Sequence, residues 1–193
     1  MPYQFRFNRT DEPVSFKCNL QCTRCGGVKP NGQRCKARTC IGTPYCWQHL
    51  LKKHLRIKTS TLPGAGKGLF AFDPTKTGQS GVFNEGDEII QYDGEIVTTP
   101  AVTQKYGNDN ATAPYVIADT EVTEDGACRR GTGAMANHQR GRTLNAEIKE
   151  KDGKLFLVAK RRIKHDAEIF IDYGIHYRFN EPNVKTATVR ARA

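Results

Sequence analysis

Long hydrophobic runs are absent from this sequence, and no apolar stretch approaches the roughly 20 residues that a membrane-spanning helix needs. No signal peptide opens the chain. Outside the segment 18–46 the only cysteine is Cys128, so the chain lacks the evenly distributed cysteines of a secreted disulfide scaffold. These absences predict a soluble, intracellular protein.

Acidic residues are also scarce, because 20 Asp and Glu compare with 30 Lys and Arg, a net charge of +10. The excess is uneven. Residues 1–55 hold ten basic and two acidic residues, residues 56–177 hold sixteen and seventeen, and residues 178–193 hold four and one. A basic front part can bind a polyanion such as nucleic acid, or it can serve solubility alone. For the tail we expect solubility alone.

With 193 residues and 37% hydrophobic content, the chain can form one ordinary domain and a small extra module. From Leu55 onward, short apolar runs alternate with turns, which predicts a mostly β body. The pairs Asp93-Gly94 and Asp152-Gly153 predict hairpin turns, because Asp-Gly tolerates positive φ. The polar stretch 98–113 is predicted to be a mobile insert. The predicted strands are Leu55–Lys58, Gly68–Phe72, Glu88–Tyr92, Glu95–Thr98, Tyr115–Ala118, Leu144–Lys149, Leu155–Ala159 and Glu168–Asp172.

Six cysteines lie within residues 18–46, a segment too poor in apolar residues to fold unaided. Three thiolates and one imidazole would suit a closed tetrahedral Zn²⁺ site. Either Cys22 or Cys40 could replace a member of the best set, and the thiols could also be unliganded. The best ligand set has nine, ten and two residues between successive members and consists of Cys25, Cys35, Cys46 and His49.

The segment from Gly32 to His49 resembles small Cys/His modules in proteins of large DNA viruses. That resemblance implies a viral origin. Residues 45–54 are predicted to contain a short helix. With the charge pattern, these features predict a basic zinc-binding module over residues 1–54.

Three short motifs follow in a definite order. They are the glycine-rich turn Gly64–Gly68, the pair Asn137-His138, and a late strand that ends in Asp172-Tyr173-Gly174. In this order they resemble the SET domain of S-adenosylmethionine-dependent protein lysine methyltransferases. The resemblance covers about residues 55–179 and leaves a basic flexible tail over 180–193. It implies a mainly β (α+β) fold of several small sheets, with the C-terminal segment threaded beneath a preceding loop.

The resemblance also implies roles for single residues. The Tyr173 hydroxyl would lie beside the transferring methyl group, and Tyr115 would be a second catalytic tyrosine in the lysine channel. Tyr177 or Phe179 would close that channel, since no cysteine-rich tail follows. The residues that would bind S-adenosylmethionine are Gly66, Lys67, Gly68, Asn137, His138 and Tyr177.

Ile171 stands where the family often has Phe or Tyr, two residues before the catalytic tyrosine. Because isoleucine has no hydroxyl group, it cannot hold the water that restricts an amine to one methyl group. We therefore expect di- or trimethylation.

The loop around Asn137 departs from the family pattern. Ala134 and Met135 replace the usual Arg-Phe, and the loop from Asn137 to Asn145 is longer than usual. This leaves a second class of function open, a non-enzymatic adaptor that binds nucleic acid or chromatin through the front module. A methyltransferase for a non-histone protein is a third alternative.

The leading hypothesis is a nuclear histone lysine methyltransferase. Its substrate would be a Lys/Arg-rich histone tail, with nucleosomal DNA as a further partner of the front module and no membrane partner. A homodimer could complete an open lysine channel. Four acidic residues are expected at the substrate edge and would suit such a peptide: Asp119, Glu121, Glu124 and Asp125.

Overall fold

The structure is a computed structural model that describes residues 3–4, 17–18, 23–39, 43–106 and 115–174. These residues form many short strands and few helices, which confirms the mainly β prediction. None of the helices in this part of the chain is both long and apolar enough to cross a membrane. The helices are α1 (Trp47–Leu51) and α2 (Thr99–Tyr106), with 3₁₀ turns at Gly133–Met135 and Gly141–Thr143. The strands are β1 (Tyr3–Gln4), β2 (Lys17–Cys18), β3 (Thr23–Arg24), β4 (Arg38–Thr39), β5 (Leu55–Thr59), β6 (Lys67–Ala71), β7 (Gly81–Phe83), β8 (Glu88–Gln91), β9 (Glu95–Ile96), β10 (Val116–Asp119), β11 (Val122–Asp125), β12 (Asn137–His138), β13 (Ala146–Lys151), β14 (Lys154–Ala159), β15 (Ile163–Lys164) and β16 (Phe170–Ile171).

The strands pair into small sheets of two or three strands. Strand β14 lies between β13 and β8, and β11 lies between β10 and β9, and these four pairs are antiparallel. The β13–β14 hairpin turns at Asp152 and Gly153, whose φ angles are 52° and 69°. Positive φ at both central residues defines the type I′ turn that Asp-Gly favours. The predicted hairpin at this position is therefore confirmed.

Two other predictions are wrong. Asp93-Gly94 does not close a hairpin, because β8 pairs with β14 whereas β9 pairs with β11. The predicted mobile insert contains helix α2, whose last residues Lys105 and Tyr106 contact the buried carboxylate of Asp125. That buried anchor orders the helix despite its polar sequence. Residues 107–114 of the predicted insert lie outside the described residues.

The hydrophobic core lies between these small sheets. In β14, inward residues alternate with more exposed ones, and Leu155 and Leu157 are fully buried. Ile169 and Ile171, near the C-terminal end of the described chain, pack into the same core. Removing a whole aliphatic side chain from water contributes about 1.5–3 kcal/mol. The segment that leads to Tyr173 is therefore fixed by apolar packing.

Strand β16 passes between the two ends of the loop that runs from Asn137 to Asn145. On one side it pairs in parallel with β12, which places Asn137 opposite Phe170. On the other side the buried Asn145 amide accepts a 2.8 Å hydrogen bond from the Phe170 N–H and donates one of 2.8 Å to the Glu168 carbonyl oxygen. This is the threaded arrangement that the family resemblance predicted.

The Cys/His segment packs directly against the body. Helix α1 confirms the short helix predicted within residues 45–54. Its residue Leu50 is 3% exposed and belongs to the same core as Leu55 and Leu69, with Tyr45 packed at the edge. The front segment and the body therefore share part of one hydrophobic core.

Candidate functional site

Three segments that are far apart in the chain meet at the side chain of Asn137. Its Nδ2 donates a 3.1 Å hydrogen bond to the carbonyl oxygen of Lys67 and one of 2.9 Å to Oε1 of Glu168. Lys67 opens strand β6, and Glu168 lies just before β16. Asn137 and the Gly66–Gly68 turn, both predicted to bind a methyl donor, are therefore adjacent.

The Glu168 carboxylate connects this junction to a fourth segment. It is 5% exposed, and Oε1 also accepts a 2.7 Å hydrogen bond from the Ser60 hydroxyl. Oε2 accepts hydrogen bonds from the backbone N–H and the hydroxyl of Thr61, at 2.7 and 2.5 Å. Gly68 lies so close to Oε1 that a Cβ atom at this position would collide with the carboxylate. A larger residue at position 68 would therefore displace this carboxylate from its hydrogen bonds.

Sequence reasoning assigned no role to Glu168. Its only signal was an acidic residue directly before the apolar run Ile169–Ile171. A buried carboxylate needs hydrogen-bond donors, and those donors come from residues 60–61, more than 100 positions earlier in the chain. No local pattern links the two segments.

Tyr173 is held by both its backbone and its side chain. Its N–H donates a 2.9 Å hydrogen bond to Nδ1 of His138, and its hydroxyl donates one of 2.7 Å to the carbonyl oxygen of Ala136. The rings of Tyr173 and His138 are tilted, with centroids 5.3 Å apart. Tyr173 is therefore tied to the segment that carries Asn137.

His138 is a neutral acceptor in this arrangement. Burial lowers its pKa below the usual value, and nearby Arg140 lowers it further, whereas Asp172 opposes the shift. The Asp172 carboxylate lies 3.6 Å from Nδ1 and 3.7 Å from Nε of Arg140. The lowered pKa favours the neutral ring, and the Tyr173 N–H that is directed at Nδ1 selects the tautomer in which this nitrogen is unprotonated.

Tyr115 has an unusual backbone conformation for an aromatic residue, with φ of 62°. Its carbonyl oxygen accepts hydrogen bonds from the Tyr92 hydroxyl at 2.8 Å and from the Gly126 N–H at 2.7 Å. The guanidinium of Arg130 lies 3.9 Å from the centroid of the Tyr115 ring. The two bonds to one carbonyl hold a conformation that costs on the order of 1–3 kcal/mol.

Tyr92 interacts electrostatically with both predicted catalytic tyrosines, Tyr115 and Tyr173. Burial raises its pKa well above the usual value, and Tyr173 and Tyr115 are both close enough to raise it further. The phenol is therefore neutral and serves as a donor to Tyr115. Tyr92 was interpreted from sequence as structural, and its 3% exposure agrees with that interpretation.

The predicted metal ligands form one compact group in the front segment. All four are buried, and their ligand atoms lie within 4.8 Å of one another: Cys25, Cys35, Cys46 and His49. The Nδ1 atom of His49 is 3.3 Å from the Cys46 sulfur and 3.6 Å from the Cys25 sulfur. Ligands about 2.0–2.3 Å from a tetrahedral zinc ion have such mutual distances. The set could hold a metal ion.

Hydrogen bonds to the backbone orient two of these ligands, His49 and Cys25. Nε2 of His49 donates a 3.0 Å hydrogen bond to the Val28 carbonyl, which directs Nδ1 towards the sulfur atoms. The Cys25 sulfur accepts from the backbone N–H groups of Gly27 and Cys46, at 3.3 and 3.2 Å. A Cβ atom at Gly27 would collide with the His49 ring, so this position also requires glycine. Cys22 and Cys40 lie outside the described residues.

Two of the acidic residues expected at the substrate edge are buried instead. Glu124 is 1% exposed and accepts from the N–H groups of Gly94 and Leu155, at 2.7 and 2.9 Å. Asp125 is 2% exposed and pairs with Lys105 at 2.6 Å. The expectation is wrong for Glu124 and Asp125. The Glu124 carboxylate joins two sheets, and the Asp125 carboxylate anchors helix α2. Tyr177 and Phe179, the predicted channel lid, lie outside the described residues.

Comparison with known proteins agrees with this geometry. Residues 66–174 match the family model described as SET domain. The chain belongs to the SET domain family. It is also similar to the N-lysine methyltransferase KMT5A-A of Danio rerio, with 25% identity over 123 residues, which cover 58% of this chain and 33% of the relative. The match thus spans about a third of the length of that relative.

Proposed function

We propose that this SET protein is an S-adenosylmethionine-dependent protein lysine N-methyltransferase. The main support is the convergence of the Gly66–Gly68 turn, Asn137 and the segment tied to Tyr173. Membership of the SET family and similarity to a protein named as a lysine methyltransferase support the same activity.

The residues at the junction fit the amino-acid end of the donor. Both N–H groups of the Asn137 amide are used, while Oδ1 accepts no hydrogen bond from any residue that the structure describes. An amide oxygen is an acceptor suited to an ammonium group. Gly66 and Lys67 are exposed beside it. When bound, S-adenosylmethionine would supply a methyl group on a positively charged sulfur.

Tyr173 would orient the reacting groups. Because its hydroxyl proton is donated to the Ala136 carbonyl, the phenol oxygen presents acceptor capacity to its other neighbours. Such an oxygen can accept weak C–H hydrogen bonds from a polarised methyl group and can align an amine. Tyr115 would contribute a second aromatic wall. His138 would support Tyr173 through the backbone bond and meet the donor's adenine through its main chain.

The substrate amine must be neutral to accept a methyl group. Free lysine has a pKa of about 10.4, and removal from water favours the neutral form. A channel lined by Tyr115 and Tyr173, beside the buried Tyr92, would supply that removal from water. Catalysis would then consist mainly of positioning and desolvation.

We further propose that the Cys/His set binds a structural Zn²⁺ ion within a module over residues 1–54. Support comes from the buried, convergent ligand atoms and from the contacts that orient His49. Around the cluster, Lys36 and Lys52 are exposed, and Trp47 is 69% exposed. Exposed cations beside an aromatic ring suit nucleic acid. We therefore propose nucleosomal DNA as a partner of this module.

A nuclear location, a histone-tail substrate and a viral origin are consistent with this assignment and are part of the proposal. The SET body would act on the tail while the basic module holds the nearby polyanion. The alternatives are a non-histone substrate, or an adaptor without turnover, which the altered loop around Asn137 would favour. Assays of methyl transfer and donor binding distinguish a histone substrate, a non-histone substrate and an adaptor without turnover.

Methyl transfer from radiolabelled S-adenosylmethionine should be measured on core histones, on nucleosomes and on a lysate with its own methyltransferases heat-inactivated. Tyr173→Phe is the test variant, and the matched control is Tyr45→Phe, which removes a tyrosine hydroxyl beside the Cys/His cluster. We expect transfer to histones by the wild type and the control, with strong loss in Tyr173→Phe. Transfer only to lysate proteins would replace the histone proposal. Absence of both transfer and donor binding would leave the adaptor.

A further inference from the structure

We propose that Glu168 is a positioning residue that fixes the orientation of the Asn137 amide for donor binding. This inference rests on the proposed function, because it concerns the amino-acid end of the same donor. The observations that carry it are the burial of the carboxylate and its hydrogen bonds to two segments of the site, residues 60–61 and Asn137.

The orientation of the Asn137 amide follows from its neighbours. The Lys67 carbonyl and the Glu168 carboxylate are both acceptors, so the NH₂ end of the amide must face them. The oxygen end is therefore directed away from both acceptors. A rotation of the amide by half a turn would place Oδ1 against two acceptors and lose both bonds. Glu168 thus determines that Asn137 presents an acceptor to the donor.

Glu168 also sets the position of the glycine turn. Ser60 and Thr61 donate to the same carboxylate and lie where β5 leaves towards the turn, while Gly68 lies against Oε1 at the other end. The Ser60 N–H further donates a 2.9 Å bond to the Gly66 carbonyl. One carboxylate thus connects both ends of the turn to Asn137.

The charge of this carboxylate matches the ligand. Oε1 lies 2.9 Å from the Asn137 nitrogen, on the far side of the amide from the proposed ammonium group. A buried anion polarises the amide that it binds, which strengthens the acceptor at the other end of that amide. The predicted selectivity is therefore for ligands with an α-ammonium group.

Glu168→Gln is the sharpest test because it keeps the shape and replaces one acceptor oxygen by a donor. Every partner of the carboxylate is a donor, so the new NH₂ group must face a donor or force the Asn137 amide to rotate. The matched control is Asp166→Asn, a similar change two residues away. Asp166 is half-exposed, forms an ion pair with Lys58, and has positive φ, which asparagine tolerates.

Binding should be measured by calorimetry with two ligands on the full chain. S-adenosylhomocysteine contains the amino-acid end, whereas methylthioadenosine lacks it. We expect Glu168→Gln to weaken S-adenosylhomocysteine binding about tenfold or more and to change methylthioadenosine binding less than about twofold. Asp166→Asn should bind both ligands as the wild type does. Equal weakening for both ligands would indicate a general structural role and overturn the proposal, as would no weakening for either.

A double-mutant cycle tests whether the effect passes through Asn137. In an Asn137→Ala background, Glu168→Gln should have much less effect on S-adenosylhomocysteine affinity than in the wild type, because the shared contact is already lost. Additive losses would contradict the proposed route. If Glu168→Gln does not fold, Ser60→Ala tests the proposal, since it removes one hydrogen-bond donor to Oε1 of Glu168. It should weaken S-adenosylhomocysteine about threefold and leave methylthioadenosine unchanged, and unchanged affinity for both would overturn the proposal.

The proposed function and the proposed role of Glu168 can fail separately. Wild-type protein that binds neither ligand would contradict the proposed function itself. Wild-type protein that binds both, with Glu168→Gln indistinguishable from it, would leave the function standing and remove the role of Glu168.

Discussion

The backbone N–H of Tyr173 donates a 2.9 Å hydrogen bond to Nδ1 of His138. An imidazole nitrogen can accept only while it is unprotonated. The position of the strand-end tyrosine is therefore linked to the protonation state of a neighbouring histidine. Protonation of His138 should therefore release the backbone of Tyr173.

Acid should destabilise the protein through His138. Its pKa is lowered in the folded state by burial, so the unfolded chain takes up a proton first as the pH falls below about 6.5. Stability from the neutral ring is present above that pH and is lost as the pH falls through the folded-state pKa. Thermal unfolding between pH 8 and 5 should show a steeper loss in the wild type than in His138→Asn, which keeps an acceptor that does not titrate there. Parallel pH profiles would contradict this role.

Asn145→Ala should strongly destabilise the threaded segment. The substitution leaves the Phe170 N–H and the Glu168 carbonyl without their buried partner. Each such group costs about 1–3 kcal/mol, so a loss of about 2–6 kcal/mol in the free energy of unfolding is expected. Urea denaturation measures it. Asn31→Ala, which removes an exposed bond to the Gln33 N–H, should change stability by less than about 0.5 kcal/mol.

Metal removal should act on the front segment first. Because the four ligands join residues 25–35 to residues 46–49, chelation should raise hydrogen exchange there while the β13–β14 hairpin stays protected. His49→Asn should lower the bound zinc per chain, whereas His54→Asn, at an exposed position five residues later, should not. Full retention of zinc in His49→Asn would contradict the ligand assignment.

The number of methyl groups transferred is a separate prediction. Ile171 is fully buried in the core next to Tyr173 and has no hydroxyl group with which to hold a water molecule. Dimethyl- or trimethyllysine should therefore accumulate when the enzyme is in excess. Mass spectrometry of the modified peptide at saturation would settle it, and a purely monomethylated product would contradict the prediction.

Much of the body could be predicted from its sequence because local patterns carry the information. The alternating burial in β14 and the Asp152-Gly153 turn both appear directly in the chain. Helix α2 was missed because its sequence is polar and its order depends on Asp125, some 20 residues later. Asp93-Gly94 was misinterpreted because a turn signal does not specify which strands pair.

The candidate site shows the same limit. Asn137 and Tyr173 could be chosen through family resemblance, whereas Glu168 could not, because its donors at residues 60–61 are known only from the fold. Burial also reversed the interpretation of Glu124, which the sequence alone left as a surface charge. Patterns in a single sequence carry no information about which polar groups pair over long distances in the chain.

The parallel pairing of β12 with β16 affects when activity can arise during synthesis. A growing chain that has reached only Asn145 already contains the glycine turn, Asn137 and His138, yet the partner strand and Tyr173 are still unmade. Ribosome-bound intermediates of this length would therefore have no assembled pocket. The proposed methyl transfer would become available only after β16 has passed the loop, so turnover would report that this threading step has taken place.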